Sequence, residues 1–552
     1  MAKTQIDGFR GERPVIEPGT LGDSDASSAI DVRIQGNTLG SLKTDSLVAA
    51  KTVAGTLKSL YKYVTGDWFE WDKDVDVVTT QIGNDSYDRR IFTGDTNPKI
   101  TYNTIATSGA APYPSASYLL GVPPPGYVAG SWPYGQAVTG SVTGTADDPD
   151  DLVDSRYYVV TSVDVFGAEG PPSIVSDMFE WQPGQTMTVH IPVAVTGNYN
   201  ITAWRLYRTS TGSASTDFQY VATGTTWDVD VVDDVLPENL AEVLTTEDYN
   251  LPHASMIGIT AMPGEYLVGH YKNILFFSEP GFPHAWPIGY QLNTKTDIVG
   301  VKVIGQNMLL VTTTEKPYIA VGTDPASMSL SALDDVLQAC VAKRSMVDVG
   351  PGVVYASPDG LMLISTGGSK MLTDGIFSRE QWQAMLPSSM TCHLWEGLCL
   401  VYWDLGTGTK AGFIINPGMP EAGIVRLSDH VDGSWFSELT DELYVSVGGS
   451  IKIFTGGSTY RTGTWVSKEF EFMSPKRLSC GRAWTNITGA LTVELQEGDG
   501  TALFSRVVYD EKPFRLQGGQ KRRDARIKIS LTGGKNIHRL ELAETVADLR
   551  GG

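Results

Sequence analysis

Between residues 257 and 456 the chain repeats one short phrase five times: an apolar strand, a polar turn, and a second apolar strand. The copies lie at 265–277, 303–311, 353–364, 394–402 and 443–454, with turns some 40 to 45 residues apart on average. That is the period of a four-stranded propeller blade. A blade has two apolar faces and must bury both against neighbours, so a series of blades closes into a ring. The reading is all-β: a six-bladed β-propeller with five blades from the repeat and a sixth from hairpins within 31–92. A series of antiparallel sandwiches would also space its strands regularly, but the even period favours the propeller.

The rest of the chain divides around that ring. Residues 1–30, rich in Gly, Pro, Ser and Asp, read as an extended N-terminal arm, and 31–100 as the first blade. Turns are expected at Gly36-Asn37 and Gly66-Asp67, each flanked by apolar or aromatic alternation. Residues 101–150 carry Pro112, Pro114 and Pro123-Pro124-Pro125-Gly126, text that forms neither central strands nor long helices, and read as a loop insertion. Short alternating strands over 151–248 suggest an inserted fibronectin- or immunoglobulin-like sandwich. Residues 249–460 hold the remaining blades, and 461–552 a separate C-terminal β-domain. One helix is expected over 329–341, where Leu330, Leu333, Leu337 and Val341 make a stripe.

Composition fits this picture. The 552 residues include 59 glycines, 23 tyrosines and 13 tryptophans, which suit turns and half-buried pleated surfaces. The net charge of −21 has the wrong sign for gripping nucleic acid, where cations must displace counterions from phosphates. It suits walls that repel a passing duplex, although many acidic proteins carry such charge for solubility alone. No stretch of about eighteen apolar residues predicts a membrane span, and Met1 leads into polar text without an apolar signal core. Cys340, Cys392, Cys399 and Cys480 form no CxxC pair and read as small buried thiols.

Catalytic patterns are missing. The chain has no GxSxG, no GxxxxGK[ST] and no HExxH, and its seven histidines are scattered. The acidic run Asp147-Asp148-Pro149-Asp150-Asp151, with Asp154, fits no EF-hand spacing and reads as a solvated linker rather than a calcium site. Asp228, Asp230, Asp233 and Asp234 alternate with valines, as on the wet face of a strand. Lys521-Arg522-Arg523-Asp524-Ala525-Arg526 is a basic patch in an acidic chain, and contact with an acidic neighbouring subunit suits it better than contact with DNA. No catalytic, cofactor-binding or metal-binding residues are expected.

Several phrases resemble the podovirus-type tail nozzle, or tail tubular protein B, family of bacteriophages. They begin with Gly8-Phe9-Arg10-Gly11-Glu12-Arg13-Pro14. Next come Phe277-Ser278-Glu279-Pro280-Gly281 with His284-Ala285-Trp286-Pro287, and then Gly322-Thr323-Asp324-Pro325-Ala326-Ser327-Met328. Cys340-Val341-Ala342-Lys343-Arg344-Ser345, Ala356-Ser357-Pro358-Asp359-Gly360-Leu361 and Phe377-Ser378-Arg379-Glu380-Gln381-Trp382 follow. Within the insertion, Val165-Phe166-Gly167-Ala168-Glu169-Gly170-Pro171-Pro172-Ser173 and Trp204-Arg205-Leu206-Tyr207-Arg208-Thr209 are also similar. The resemblance extends to about residue 460 and is weaker over 101–150. It implies a homohexameric ring in the virion tail, below the portal and its adaptor (the head–tail connector), assembled in the bacterial host cytoplasm. The ring would conduct DNA without specific binding, offer sites to tail fibres and a plug or needle, and enter no membrane. It brings no cofactor and no active-site residues. Two other readings stay open: a tail protein that binds host receptors or glycans, and a propeller carbohydrase.

Overall fold

The computed structural model describes residues 3–80, 82–128, 135–209, 217–486, 490–517 and 521–549. Its strands are set by tight turns. At Gly36-Asn37, Glu396-Gly397 and Gly448-Gly449 both central residues have positive φ. Each pair closes a two-residue hairpin, between Gln35 and Thr38, Trp395 and Leu398, and Val447 and Ser450. Two consecutive positive-φ residues define the turn whose twist matches that of the flanking strands, which is why Gly and Asn recur there. The architecture is nearly all β, with many small sheets; among the described residues the α-helices are Asn103–Ala106 and Arg379–Ala384.

Seven of these sheets succeed one another around a propeller-like ring. Ring sheet one is the hairpin Ser59–Lys62 with Trp68–Trp71, turning at Gly66-Asp67 as expected. Ring sheet two orders Asp76–Thr79, Arg90–Thr93, Lys99–Thr101 and Tyr118–Leu119. Ring sheet three runs from Ile257–Met262 to Leu292–Asn293, four from Ile298–Ile304 to Ser329–Ala332, and five from Val347–Asp348 to Gly368–Met371. Ring sheet six runs from Thr391–Trp395 to Ile424–Leu427. Ring sheet seven comprises Gly433–Ser437, Glu442–Val447 and Ser450–Ile453, with Ser46–Ala50 as its fourth strand. Sheets two to seven thus have four strands each.

Apolar side chains fill every gap between successive sheets. Phe69 and Trp71 of sheet one meet Val75 and Phe92 beside sheet two. Ile91 and Ile100 meet Ile259 and Leu267 of sheet three, whose Val268 and Phe277 meet Leu309 and Val311 of sheet four. Leu310 packs on Tyr355 of sheet five, Val354 on Val401 of sheet six, and Leu400 on Leu443 of sheet seven. Tyr444 and Ile451 then meet Leu60 and Trp68 of sheet one, closing the circle. Closure is also hydrogen-bonded, because Ser46–Ala50 pairs antiparallel with Ser450–Ile453, some 400 residues later.

Two sandwiches leave this ring. The insertion packs Thr139–Thr143, Thr186–Ile191 and Val229–Asp233 against Tyr158–Asp164, Ile201–Thr209 and Phe218–Gly224. Val160, Met187, Val189, Trp204 and Leu206 form its core. The second sandwich is built from both ends of the chain. Ring sheet six continues outward through Ala26–Ile30, Gly463–Ser467, Arg522–Thr532, Ala490–Gln496 and Ala502–Val508, and with Phe470–Lys476 paired off the path to Arg522–Thr532 makes one ten-stranded sheet. A six-stranded sheet containing Lys3–Asp7, Val32–Gln35, Thr38–Ser41, Cys480–Asn486, Phe514–Arg515 and Asn536–Ala543 covers it. Ile6, Val32, Leu39 and Leu540 share a core with Trp465, Val493 and Ile529.

The structure differs from five expectations. Residues 1–30 are not a free arm: Lys3–Asp7 pairs in register with Asn536–Ala543, and Ala26–Ile30 lies between Ile424–Leu427 and Gly463–Ser467. Residues 31–100 are not one blade but contribute to four sheets, because their strand partners lie hundreds of residues away and local alternation carries no trace of them. The 101–150 region is not all loop, since it supplies the outer strand Tyr118–Leu119 and the edge strand Thr139–Thr143. The helix over 329–341 does not form; Ser329–Ala332 pairs with Tyr318–Val321, whose open backbone edge outcompetes the apolar stripe, and Leu337 is left exposed. The C-terminal β-domain is likewise not separate, being continuous with the ring.

Candidate functional site

Three concave features can be built from the residues upward: the axis of the ring, a cleft at the root of the insertion, and a groove on the terminal sandwich.

The axis is the first place to look for a channel, and the protein fills it with its own side chains. A cavity of about 210 Å³ remains there, lined among others by Lys302, Lys343, Arg344, His393 and Ser434. Lys343, on the connection between sheets four and five, reaches across to Asp76 at 2.5 Å and Asp74 at 3.2 Å beside sheet two. The two carboxylates keep its ammonium charged despite burial and raise its pKa. Arg344 donates to the carbonyls of Lys58 at 2.6 Å and Asp432 at 2.7 Å, tying sheets one and seven to the same connection. His393 accepts from or donates to Ser434 Oγ at 2.5 Å, and burial pushes its pKa down to about 3, so it is neutral. These groups strut the ring across its axis. The remaining space is about that of a cube 6 Å on edge, the width of a B-form minor groove alone, so no duplex passes through one chain.

The cleft of about 440 Å³ is aromatic and proline-rich. Tyr127 and Tyr199 of the insertion face Phe276 of ring sheet three, with Trp286 and His253 from its connecting segments, across Pro98 and Pro252. His253 stacks on Tyr271 at 4.4 Å between ring centroids, and burial lowers its pKa. Apolar walls carrying a few polar groups are the usual character of a small-ligand site.

The groove of about 1100 Å³ runs between two sheet ends on the terminal sandwich. Ala502–Val508 ends the ten-stranded sheet and Phe514–Arg515 the six-stranded one. Arg477, Arg506, Lys512 and Arg515 line the groove with Val507, Tyr509 and the acids Asp510 and Glu544. The basic patch singled out in sequence lies elsewhere and is half neutralised, because Arg522 pairs with Glu497 and Arg526 with Glu469. Sequence reading missed the groove because its four cations are spread over 477–515 and converge only in the fold.

Charged groups elsewhere are structural. Asp233 is buried, not on a wet face: its carboxylate meets Arg208 at 2.5 Å, Tyr158 Oη at 2.6 Å and Arg156 at 3.6 Å inside the insertion. Asp228 and Asp230 stay exposed beside His190. All four cysteines are free and buried. No cluster of three or more His, Cys, Asp or Glu able to hold a metal occurs among the described residues. None of their helices is long and apolar enough to cross a membrane.

The motif positions are dispersed over turns and packing contacts. Phe9 is fully buried edge-on to Trp465 at 5.0 Å, and the Arg10 carbonyl accepts from Trp465 Nε1. Gly11 lies against the Ile424 backbone, where a Cβ would fall 2.3 Å from the carbonyl oxygen, and Pro14 accepts from Gln381. Ser278 Oγ accepts from Leu267 N–H, Glu279 N–H donates to Ala285, and Glu279 and Pro280 begin the turn that ends in buried Trp286 and Pro287. Thr323 and Asp324 precede a 3-10 turn starting at Pro325, with Asp324 capping Ser327. Ser357 hydrogen-bonds across its turn to Gly360 and accepts from Trp382 at its carbonyl. Pro358 accepts from Gln383, and Asp359 from Gln338 and Arg379. Three of these phrases, those ending at Pro14, Leu361 and Trp382, adjoin one another through these contacts, which are packing and turn contacts.

No protein-family model matches the chain, and no curated protein matches it either. Among solved structures it is similar to BBS1N, crystallised in complex with ARL6DN, at 10% identity and TM-score 0.29 over 75% of this chain and 99% of that one. It is similar to virginiamycin B lyase from Staphylococcus aureus at 8% identity and TM-score 0.27 over 69% and 98%. PorZ of the type-IX secretion system of Porphyromonas gingivalis shares 11% identity at TM-score 0.26 over 92% and 86%. Likeness at that level carries no argument about activity or partners.

Proposed function

We propose that this chain is a structural subunit of a bacteriophage tail nozzle, forming with copies of itself a ring that extends the DNA ejection path below the portal and adaptor. In this reading the small ring sheets are propeller blades, six of four strands with a hairpin at a seventh position, and the insertion is an immunoglobulin-like domain. The sequence phrases quoted above carry the proposal. Two physical observations support it. The axis of a single chain is strutted shut, so a DNA path has to lie between copies. Residues 1–460, which include nearly all of the ring and the whole insertion, hold 26 Lys and Arg against 52 Asp and Glu, a net −26 that repels phosphate. The subunit guides DNA by not holding it, without chemistry or cofactor, and the adaptor, fibres and plug are its partners.

Gold-labelled antibody against the insertion is expected to decorate the distal tail of the virions that encode this chain. The purified protein is expected to leave a labelled duplex unshifted at 50 mM salt. Labelling of another virion part, or tight salt-dependent duplex binding, overturns the reading. The aromatic cleft favours a second reading, a receptor-binding tail protein that takes a sugar or proline-rich ligand. Glycan-array binding lost in Tyr199→Ala would establish it, and turnover of the bound glycan would point to the carbohydrase instead.

A further inference from the structure

The chain segregates its charge between two surfaces on opposite sides of the ring. Residues 101–250 hold 3 Lys and Arg against 18 Asp and Glu, a net −15. Residues 461–552 hold 16 against 11, a net +5 in a chain of net −21. The insertion leaves between ring sheets two and three, with Gly121 packed against Leu251 where the chain departs and returns. The terminal sandwich grows outward from sheet six and borders sheet seven. Around seven positions these two places are three to four steps apart in either direction, which is close to diametric.

Each surface also exposes apolar side chains. On the insertion, the loop 147–153 presents Asp147, Asp148, Asp150 and Asp151 beside Leu152, which is 92% exposed, and Val153. On the sandwich, the groove presents exposed Arg506, Lys512 and Arg515 beside Val507 and Tyr509, the latter 76% exposed. Arg506 and Arg515 form no ion pair among the described residues, and Lys512 reaches Asp510 only at 3.8 Å. The groove is flanked by two strands that end their sheets and so keep an unpaired backbone edge, the feature that accepts an extended segment.

We infer that the groove of one copy receives the acidic loop 147–153 of the next. The aspartates pair with Arg506, Lys512 and Arg515, while Leu152 and Val153 cover Val507 and Tyr509. Because the two surfaces differ and lie on opposite sides of the molecule, the contact is head-to-tail: it generates a ring if the rotation closes and a fibre if it does not. The inference rests on the proposed nozzle reading only for that closure. It also accounts for an exposed apolar-acidic loop and an exposed apolar-basic groove within one chain, since each is the complement of the other.

Sedimentation velocity and negative-stain imaging of the full chain test it, at 50 and 500 mM salt. Two surface variants are needed: R506E/K512E/R515E in the groove, and D148K/D150K/D151K in the loop. Each variant alone is expected to weaken association at least a hundredfold without changing its thermal melt. Mixed in equal amounts, the two variants are expected to recover association by alternating, because the loop of each is complementary in charge to the groove of the other. A chain carrying both sets is expected to recover association, and high salt to weaken it in the wild type. Association unaffected by either set overturns the inference while leaving a ring intact. Association through these surfaces into open fibres supports the inference and removes the ring. A wild-type chain that stays monomeric at 0.1 mM overturns both.

Discussion

The two sandwiches differ in how each is joined to the ring. The insertion has its own core and its own buried Arg208–Asp233–Arg156 cluster, and it joins the ring where Gly121 meets Leu251 and through contacts such as Phe166 with Tyr87 and Glu169 with His284. The terminal sandwich shares a sheet with ring sheet six, and its strands come from residues 3–41 and 463–543. One is an appendage, while the other is part of the closure. The charge difference follows the same division: the appendage is strongly acidic and the closure basic. A chain can therefore alter its outer partner surface on the insertion at little cost to the ring, whereas changes in the terminal sandwich reach the ring directly.

Deletion breaks this comparison most severely if it is wrong. Removing residues 1–42 takes four strands from the two terminal sheets, and the chain is expected to lose cooperative unfolding in urea and bind hydrophobic dye. Replacing 122–250 by a short glycine linker is expected to leave a folded ring with a sharp melt, because the chain departs and returns at adjacent points. Equal damage from both would refute the distinction.

Single substitutions sharpen it. Trp465→Ala removes a fully buried indole between the two terminal sheets and is expected to cost about 3–5 kcal/mol in the main unfolding transition. Asp233→Ala strands Arg156 and Arg208 in the insertion core and is expected to cost a similar 3–5 kcal/mol, but confined to the unfolding of the insertion. Proteolysis or hydrogen exchange resolved by region separates the two.

Acid is expected to move the regions in opposite directions. Burial holds His270 of ring sheet three, His284 in the connection before its last strand and His393 of ring sheet six neutral, with pKa values lowered to about 4, 4 and 3. The unfolded chain takes up those protons near pH 6.5, so their contribution is complete above that pH and is lost as pH falls through the window, on the order of 1–2 kcal/mol each at pH 5. In the insertion, burial raises the Asp164 carboxyl to about 6, although it accepts the Phe166 and Ala168 N–H groups. Its contribution is complete below about pH 4 and is lost as pH rises through 6. Ring melting is expected to fall from pH 7 to 5 while the insertion gains, and Asp164→Asn is expected to flatten the insertion's profile. The smallest effect concerns a turn: Gly36→Ala, at φ 55°, is expected to cost about 1 kcal/mol in the terminal sandwich alone.

The sequence by itself determined the all-β class, the strand–turn–strand repeat and many of its turns. Turns such as Gly66-Asp67 and Gly448-Gly449 are legible because their backbone demands residue types that tolerate positive φ, a purely local requirement. It also determined that the cysteines are small apolar residues and that no local catalytic motif is present. Tertiary structure decided which strands pair, and here the longest pairings were the least visible: Lys3–Asp7 with Asn536–Ala543, and Ser46–Ala50 with Ser450–Ile453. Backbone hydrogen bonding is indifferent to sequence distance and leaves no periodicity to read. The same holds for the candidate surfaces. The acidic loop 147–153 is written as one run, so it could be marked on the sequence; its basic counterpart is four residues scattered over 477–515, and only folding gathers them into a groove.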